Sequence, residues 1–153
     1  MDKDTEFMKR AIELADIAGS MGEIPVGAVV VCDGEIVGEG YNTRETGKNA
    51  LAHAEIAAID NACKKLGGWR LHKCELYVTL EPCPMCAGAI INSRIKRVVY
   101  GANDTKAGAF GTVMNLNEFP LNHKVELCPG VCSDETSKLL SDFFTELRKK
   151  KKA

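Results

Sequence analysis

Apolar residues recur at helical spacing from residue 4 to 18, where Phe7, Met8, Ala11, Ile12, Leu14, Ala15 and Ile17 share a face and Gly19 offers a stop. The runs GAVVV and EIVGEG flank Cys32-Asp33-Gly34, and two β-rich runs around Asp-Gly predict a hairpin. A polar loop, NTRETGKN, leads to a second helix from about Ala52. Its Ile56, Ile59, Cys63 and Leu66 repeat at helical spacing, and Gly67-Gly68 closes it. ELYVTL predicts a strand, and Pro84 to Ser93 a short helix with proline suited to its first turn. RVVYGA predicts another strand. After a loop with a helical turn expected near Val113–Leu116, KVELC predicts a fifth. The last helix starts near Ser133 and carries Leu139, Leu140, Phe143, Phe144 and Leu147.

The resulting order is α-β-β-α-β-α-β-loop-β-α. Alternation after the hairpin predicts an α/β fold, a mixed five-stranded sheet with helices on both faces. The strand-to-helix junction at 80–86 then falls at the carboxyl end of a central strand, where open α/β sheets place their ligands.

At 153 residues, with neither linker nor internal repeat, the chain reads as one domain, 1–153. It is 45% hydrophobic and 27% charged, which argues against disorder. No apolar run approaches a membrane span, and MDKDTEFMKR lacks the apolar core of a signal peptide, so a cytoplasmic location is expected. Seven cysteines in such a chain point to reduced thiols or metal ligands. A net charge of −1 excludes a global basic footprint. The exception is the basic segment Arg148 through Lys152, which reads either as a solvated helix end or as a phosphate-attracting arm.

Chemistry concentrates in TLEPCPMC at 79–86. Cys83 and Cys86 have the spacing of a metal clip, yet no second C-x-x-C follows, whereas a closed structural zinc site takes four protein ligands. The remaining candidates are His53, His72 and His123. His53 stands out, since H-A-E at 53–55 with P-C-P-M-C at 82–86 makes H-x-E…P-C-x-x-C, the signature of zinc-dependent nucleobase deaminases. Residues two apart do not share a helix face, so a metal lying off the helix tip, and not beside it, would engage His53 while leaving Glu55 to face a bound water. Two helix N-termini converging on one cation would favour the thiolate forms of both cysteines. One nitrogen and two thiolates suit a single Zn2+, with the fourth position left to water whose pKa zinc lowers toward about 7. Glu55 would carry its proton. The competing reading is a structural zinc module, which needs His72 or His123 as a fourth ligand and gives Glu55 no task.

At these residues the sequence resembles the bacterial tRNA-specific adenosine deaminases, of the cytidine/deoxycytidylate deaminase-like superfamily. GEIPVGAVVV at 22–31, GYNTRE at 40–45, LAHAEIAAI at 51–59, TLEPCPMCAGAIINSRI at 79–95, VVYGANDTKAGAFGT at 98–112 and LNHKVEL at 121–127 carry the likeness over nearly the whole chain. The resemblance implies a cytidine deaminase-like three-layer α-β-α sandwich and a homodimer with a composite RNA surface. It also implies hydrolysis of adenosine to inosine at the wobble position of an arginine tRNA, by zinc-activated hydroxide attack on C6 with release of ammonia. It assigns zinc to His53, Cys83 and Cys86, the proton shuttle to Glu55, and base contacts to Asn42, Ala54 and Pro82. Asp104, Lys106, Asn122 and His123 are expected near the flanking nucleotides, with Arg148 and Lys149 on anticodon-stem phosphates. An anticodon loop is already single-stranded, so presenting its base costs little. The alternative within catalysis is a deaminase of a free base or nucleoside. The ending departs from the family pattern at Cys128, Cys132 and SDETS; with Cys32, Cys63 and Cys74, those cysteines are expected to be buried or idle thiols.

Overall fold

The computed structural model describes residues 2–152, while Met1, Ala153 and the side chain of Lys152 lie outside the described residues. The predicted full extent 1–153 and the last lysine of the basic segment are therefore only partly covered.

Helix α1 (Lys3–Ser20) starts at Asp2, whose carboxylate accepts from Thr5 N at 2.8 Å. It runs past the expected stop at Gly19. The reversal comes at Gly22, held at φ 82°, because a left-handed conformation there suits glycine. Strands β1 (Gly27–Cys32) and β2 (Glu35–Tyr41) form the predicted hairpin. Asp33 and Gly34 both have positive φ, 51° and 79°, as a tight two-residue turn requires. There follow α2 (Ala54–Leu66), β3 (Cys74–Leu80), α3 (Pro84–Asn92), β4 (Arg97–Ala102), a 3-10 turn at Leu116–Glu118, β5 (Glu126–Pro129) and α4 (Ser133–Lys152). The turn expected at 113–116 falls slightly later, after an isolated bridge between Phe110 and Asn115.

The sheet order is β2-β1-β3-β4-β5, antiparallel around β1 and parallel from β3 to β5. Strand alternation divides the core. Ala28, Val30, Leu76, Val78 and Val98 pack beneath α2 and α3, while Val29, Val31, Tyr77 and Val99 pack beneath α1. Helix α4 shares the α1 face, where Thr136 is fully buried and Lys9 pairs with Glu135 at 2.5 Å. This is the expected three-layer sandwich with a mixed five-stranded sheet. Among the described residues no helix is long and apolar enough to cross a membrane.

The seat of α2 differs from the simple apolar pattern. Its larger side chains do not form the buried face; Ala54, Glu55, Ala58 and Ala62 do, and Leu66 is 45% exposed. The reason lies across the interface, where β2 supplies Gly38 and Gly40. A Cβ on Gly38 would meet Ala58 O at 2.3 Å, and one on Gly40 would meet Ala54 O at 2.4 Å. Small residues on both sides bring helix backbone against strand backbone, and that sets the height of the helix's first turn above the sheet. Gly40→Ala is expected to destabilise the fold by about 1–3 kcal/mol through overpacking, read as a lowered urea midpoint at unchanged slope.

Candidate active site

The carboxyl ends of β2, β3 and β4 finish at one end of the sheet, beside the start of β1. Two helices begin there. His53 occupies the N-cap of α2 in extended conformation, and Cys83 the N-cap of α3, with Pro84 following it. An N-cap side chain ordinarily accepts a hydrogen bond from its own helix. Neither of these does. Both instead turn toward a common point, where the ligand atoms of His53, Cys83 and Cys86 lie within 4.8 Å of one another. His53 Nδ1 is 3.6 Å from Cys83 Sγ and 3.5 Å from Cys86 Sγ.

One imidazole nitrogen and two sulfurs at this separation fit a tetrahedral zinc ion with one position left over. The protonation chemistry agrees with such a donor set. Hydrogen bonding from Cys86, aided by His53 against the effect of burial, brings the Cys83 thiol down to about 4. Cys86 shifts upward through its contact with Cys83 and its burial, and His53 is raised chiefly by Cys83. The downward shift at Cys83 favours its thiolate, the form that binds metal. A fourth protein ligand is not at hand among the described residues. His72 precedes β3, a strand's length of roughly 20 Å from the cluster. His123 is turned into the fold, its Nε2 2.7 Å from Ile95 O.

Glu55 lies in the first turn of α2 and is 4% exposed. Burial pushes its carboxyl up to about 7, against the pull of its own backbone N–H. It lines a cavity of about 170 Å³ together with His53, Cys83, Ala54, Asn42 and Asp104. A volume of about 150 Å³ holds a benzene ring, so the space suits one flat heterocycle. Asn42 is 8% exposed; its Nδ2 donates to Ile24 O at 3.2 Å, and its Oδ1 accepts from Arg44 N at 3.1 Å. One amide hydrogen and one oxygen lone pair remain for a ligand.

The other predicted residues spread more widely. Pro82 is buried but does not line the cavity; its carbonyl accepts from Ala109 N at 2.9 Å. Asp104 reaches the cavity wall, whereas Lys106 is exposed beyond it. Asn122 lines a separate groove along α3. Arg148 and Lys149 extend α4 in helical form and contact Thr145 and Glu146 within it. That helix packs along α1 toward Gly22 and Pro25, so its basic end lies at the cavity's end of the sheet. Of the remaining thiols Cys74 is buried, and Cys32, Cys63, Cys128 and Cys132 are half-buried.

Several residues at the site carried no sequence signal that singled them out. Ile24, Val26, Arg44, Leu80 and Glu81 complete the cavity lining. Two carboxylates, Glu23 and Glu81, are each 1% exposed and hold the loops on either side. Glu23 accepts from Glu45 N at 3.1 Å and Thr46 N at 2.6 Å. Burial alone would raise its pKa, but these donors leave it below the usual carboxylate value. Glu81 accepts four hydrogen bonds from the 104–112 loop. The only hint of Glu81 was a charge placed directly after an apolar strand.

Comparison with known proteins agrees with this geometry. Residues 1–148 match the model of the MafB19-like deaminase family. The tRNA-specific adenosine deaminase of Bacillus subtilis (strain 168) is 54% identical, over 100% of this chain and 96% of that protein. A solved structure from work on A-to-I editing by tRNA:A34 deaminases at the wobble position of transfer RNA superposes with a TM-score of 0.86 at 42% identity, covering 89% of this chain and 99% of the other. The guanine deaminase of Nitrosomonas europaea superposes with a TM-score of 0.76 at 26% identity, covering 91% and 83%.

Metal-depleted protein titrated with Co2+ is expected to bind about one equivalent and develop thiolate-to-cobalt absorption in the near ultraviolet. Cys86→Ala should cut that band by about half or more, since one of two thiolates is removed, and Glu55→Gln should retain it. An undiminished band in Cys86→Ala would remove that cysteine from the ligand set.

Proposed function

The chain belongs to the bacterial tRNA-specific adenosine deaminase family of MafB19-like deaminases, and on that premise we propose that it hydrolyses adenosine to inosine at the wobble position of an arginine tRNA, releasing ammonia. The observation that carries this reading is the pairing of the His53, Cys83 and Cys86 cluster with a buried carboxylate, Glu55, in one base-sized cavity. The reaction takes place in the cytoplasm, in one zinc-dependent deaminase domain spanning 1–153.

His53, Cys83 and Cys86 hold the zinc, one ion per subunit. Bound there, zinc supplies the Lewis acidity that makes hydroxide available near neutral pH. Glu55 accepts a proton from the attacking water and delivers it to the ring nitrogen next to C6. It then takes the proton of the new C6 hydroxyl and passes it to the amine, so that the C–N bond breaks, ammonia leaves and the carbonyl of inosine forms. Its burial keeps bulk water from competing for that proton. Asn42 spends its free donor and acceptor on the purine edge, and the Ala54 backbone forms one wall.

Around the cavity mouth, Asp104 and Lys106 meet the flanking nucleotides, while Asn122 borders the groove along α3 and His123 is tied to Ile95 O. Arg148, Lys149 and the lysines after them contact anticodon-stem phosphates, and their placement at the cavity's end of the sheet supports this. The subunit pairs with a second copy through the face along α3. There Leu51, Ile56, Met85, Ala89 and Leu121 line an apolar groove next to the mouth, and Leu51 is 58% exposed. The second reading is a free-base deaminase, favoured by the likeness to the guanine enzyme.

Purified protein is to be offered an arginine tRNA anticodon stem-loop, free adenosine, guanine and cytidine in separate reactions, with inosine and ammonia measured. Only the stem-loop should turn over efficiently, and Glu55→Gln should cut that rate by about 10²–10⁴-fold with metal retained. Rapid guanine turnover with an inert stem-loop would overturn the substrate and leave the chemistry standing. Replacing Lys149 through Lys152 with alanine should weaken stem-loop binding. It should also flatten the salt dependence, by roughly 0.7–0.9 in the log–log slope for each phosphate left without its cation. An unchanged slope would assign the basic end to helix termination alone.

A further inference from the structure

Glu81 is buried to 1% exposure, one residue before Pro82-Cys83, and has no lysine or arginine partner among the described salt bridges. A buried carboxylate without a cation is costly unless its lone pairs are taken up. All four are. Oε1 accepts from Asp104 N at 3.1 Å and from Thr112 Oγ1 at 2.5 Å, and Oε2 from Phe110 N at 3.1 Å and Thr112 N at 3.2 Å. Every donor belongs to the segment after β4 that carries Asp104 to the cavity wall. The fit leaves no slack, because a Cβ on Gly108 would lie 2.4 Å from the carboxylate carbon.

We infer that Glu81 is a positioning residue: it fixes the 104–112 loop against the turn that carries Cys83, and so sets how the nucleotides flanking the target base are received. Two backbone bonds join the same partners, Glu81 N to Ala102 O and Ala109 N to Pro82 O, both 2.9 Å. These bonds hold the end of β4 and the middle of the loop at Ala109 without the carboxylate, and what the carboxylate adds is the hold on Asp104, Phe110 and Thr112. Glutamine is a poorer substitute. With its amide nitrogen in the Oε1 place it can donate to the Thr112 hydroxyl, which is able to accept, but it faces the Asp104 N–H with a donor of its own and loses that bond.

The substrate part of this inference rests on the tRNA reading above. The test uses full-length zinc-loaded protein carrying Glu81→Gln, Thr112→Val, Thr112→Ser or Gly108→Ala. Hydrogen exchange at the amides of Asp104, Phe110 and Thr112 is measured alongside zinc content and stem-loop kinetics. Glu81→Gln should keep its zinc, exchange those amides faster, and raise KM for the stem-loop by about ten-fold or more while kcat stays within about three-fold. Gly108→Ala should match it, Thr112→Val should show the same change in smaller measure, and Thr112→Ser should behave as wild type. Unchanged exchange, or faster exchange at constant KM, would overturn the inference. So would loss of zinc from Glu81→Gln, which would place its role on the ligand turn. If the wild-type protein leaves the stem-loop unprocessed, the tRNA reading fails, and the exchange rates alone decide whether Glu81 fixes the loop.

Discussion

Backbone-to-backbone contact between α2 and β2 is the constraint from which the site follows. A metal cluster tolerates little error in donor position, and here the histidine and the cysteines come from different helices about thirty residues apart in sequence. Their separation is fixed by how deeply α2 sits on the sheet. Gly38 and Gly40 on one side, and Ala54, Ala58 and Ala62 on the other, leave no side-chain layer to act as a compressible spacer. The sheet itself then serves as the ruler, because α3 departs from β3 two strands away, through the intervening β1.

The second consequence concerns the helix ends. Cap positions are normally where a side chain closes the first turn upon itself. At His53 and Cys83 this self-satisfaction is absent, and the side chains point outward to each other. Part of local helix stability is thereby traded for donor atoms held at the positive ends of two helix dipoles. Glu55, in the first turn of α2, gains from the same field, while its burial opposes ionisation. These effects act on one carboxylate in opposite directions, and such a balance characterises groups that must hold and release a proton.

Much of this was legible in the sequence, because rare residue types at fixed spacing carry strong signals. His53, Glu55, Cys83 and Cys86 could be found by pattern, and the order of helices and strands followed from periodicity and from turn residues such as Asp33-Gly34. Contacts made by what a residue lacks were not legible. The helical spacing of Ile56, Ile59, Cys63 and Leu66 marks the helix, yet Ala54, Ala58 and Ala62 occupy its buried face with Glu55, since nothing in β2 announces that its glycines will face a helix. Glu23 and Glu81 were hidden for a related reason. Their partners are mainly backbone N–H groups of loops, which every sequence has and none advertises. His123, expected near the flanking nucleotides, bonds Ile95 O, another backbone partner that no pattern announces.

The position of β2 at the rim of the sheet has a bearing on solubility. A strand with one free side offers unmatched amides to any neighbouring chain and is a common seed for aggregation. Here that rim is spoiled as a template. The ladder slips between Val30 and Val31, Asn61 Nδ2 occupies Glu39 O at 2.9 Å, and Arg10 clasps the Glu39 carboxylate at 2.6 Å. The glycines that let α2 settle so closely would otherwise weaken this strand's hold on its register. The helix that carries the chemistry thus also guards the strand beneath it from recruiting a stranger.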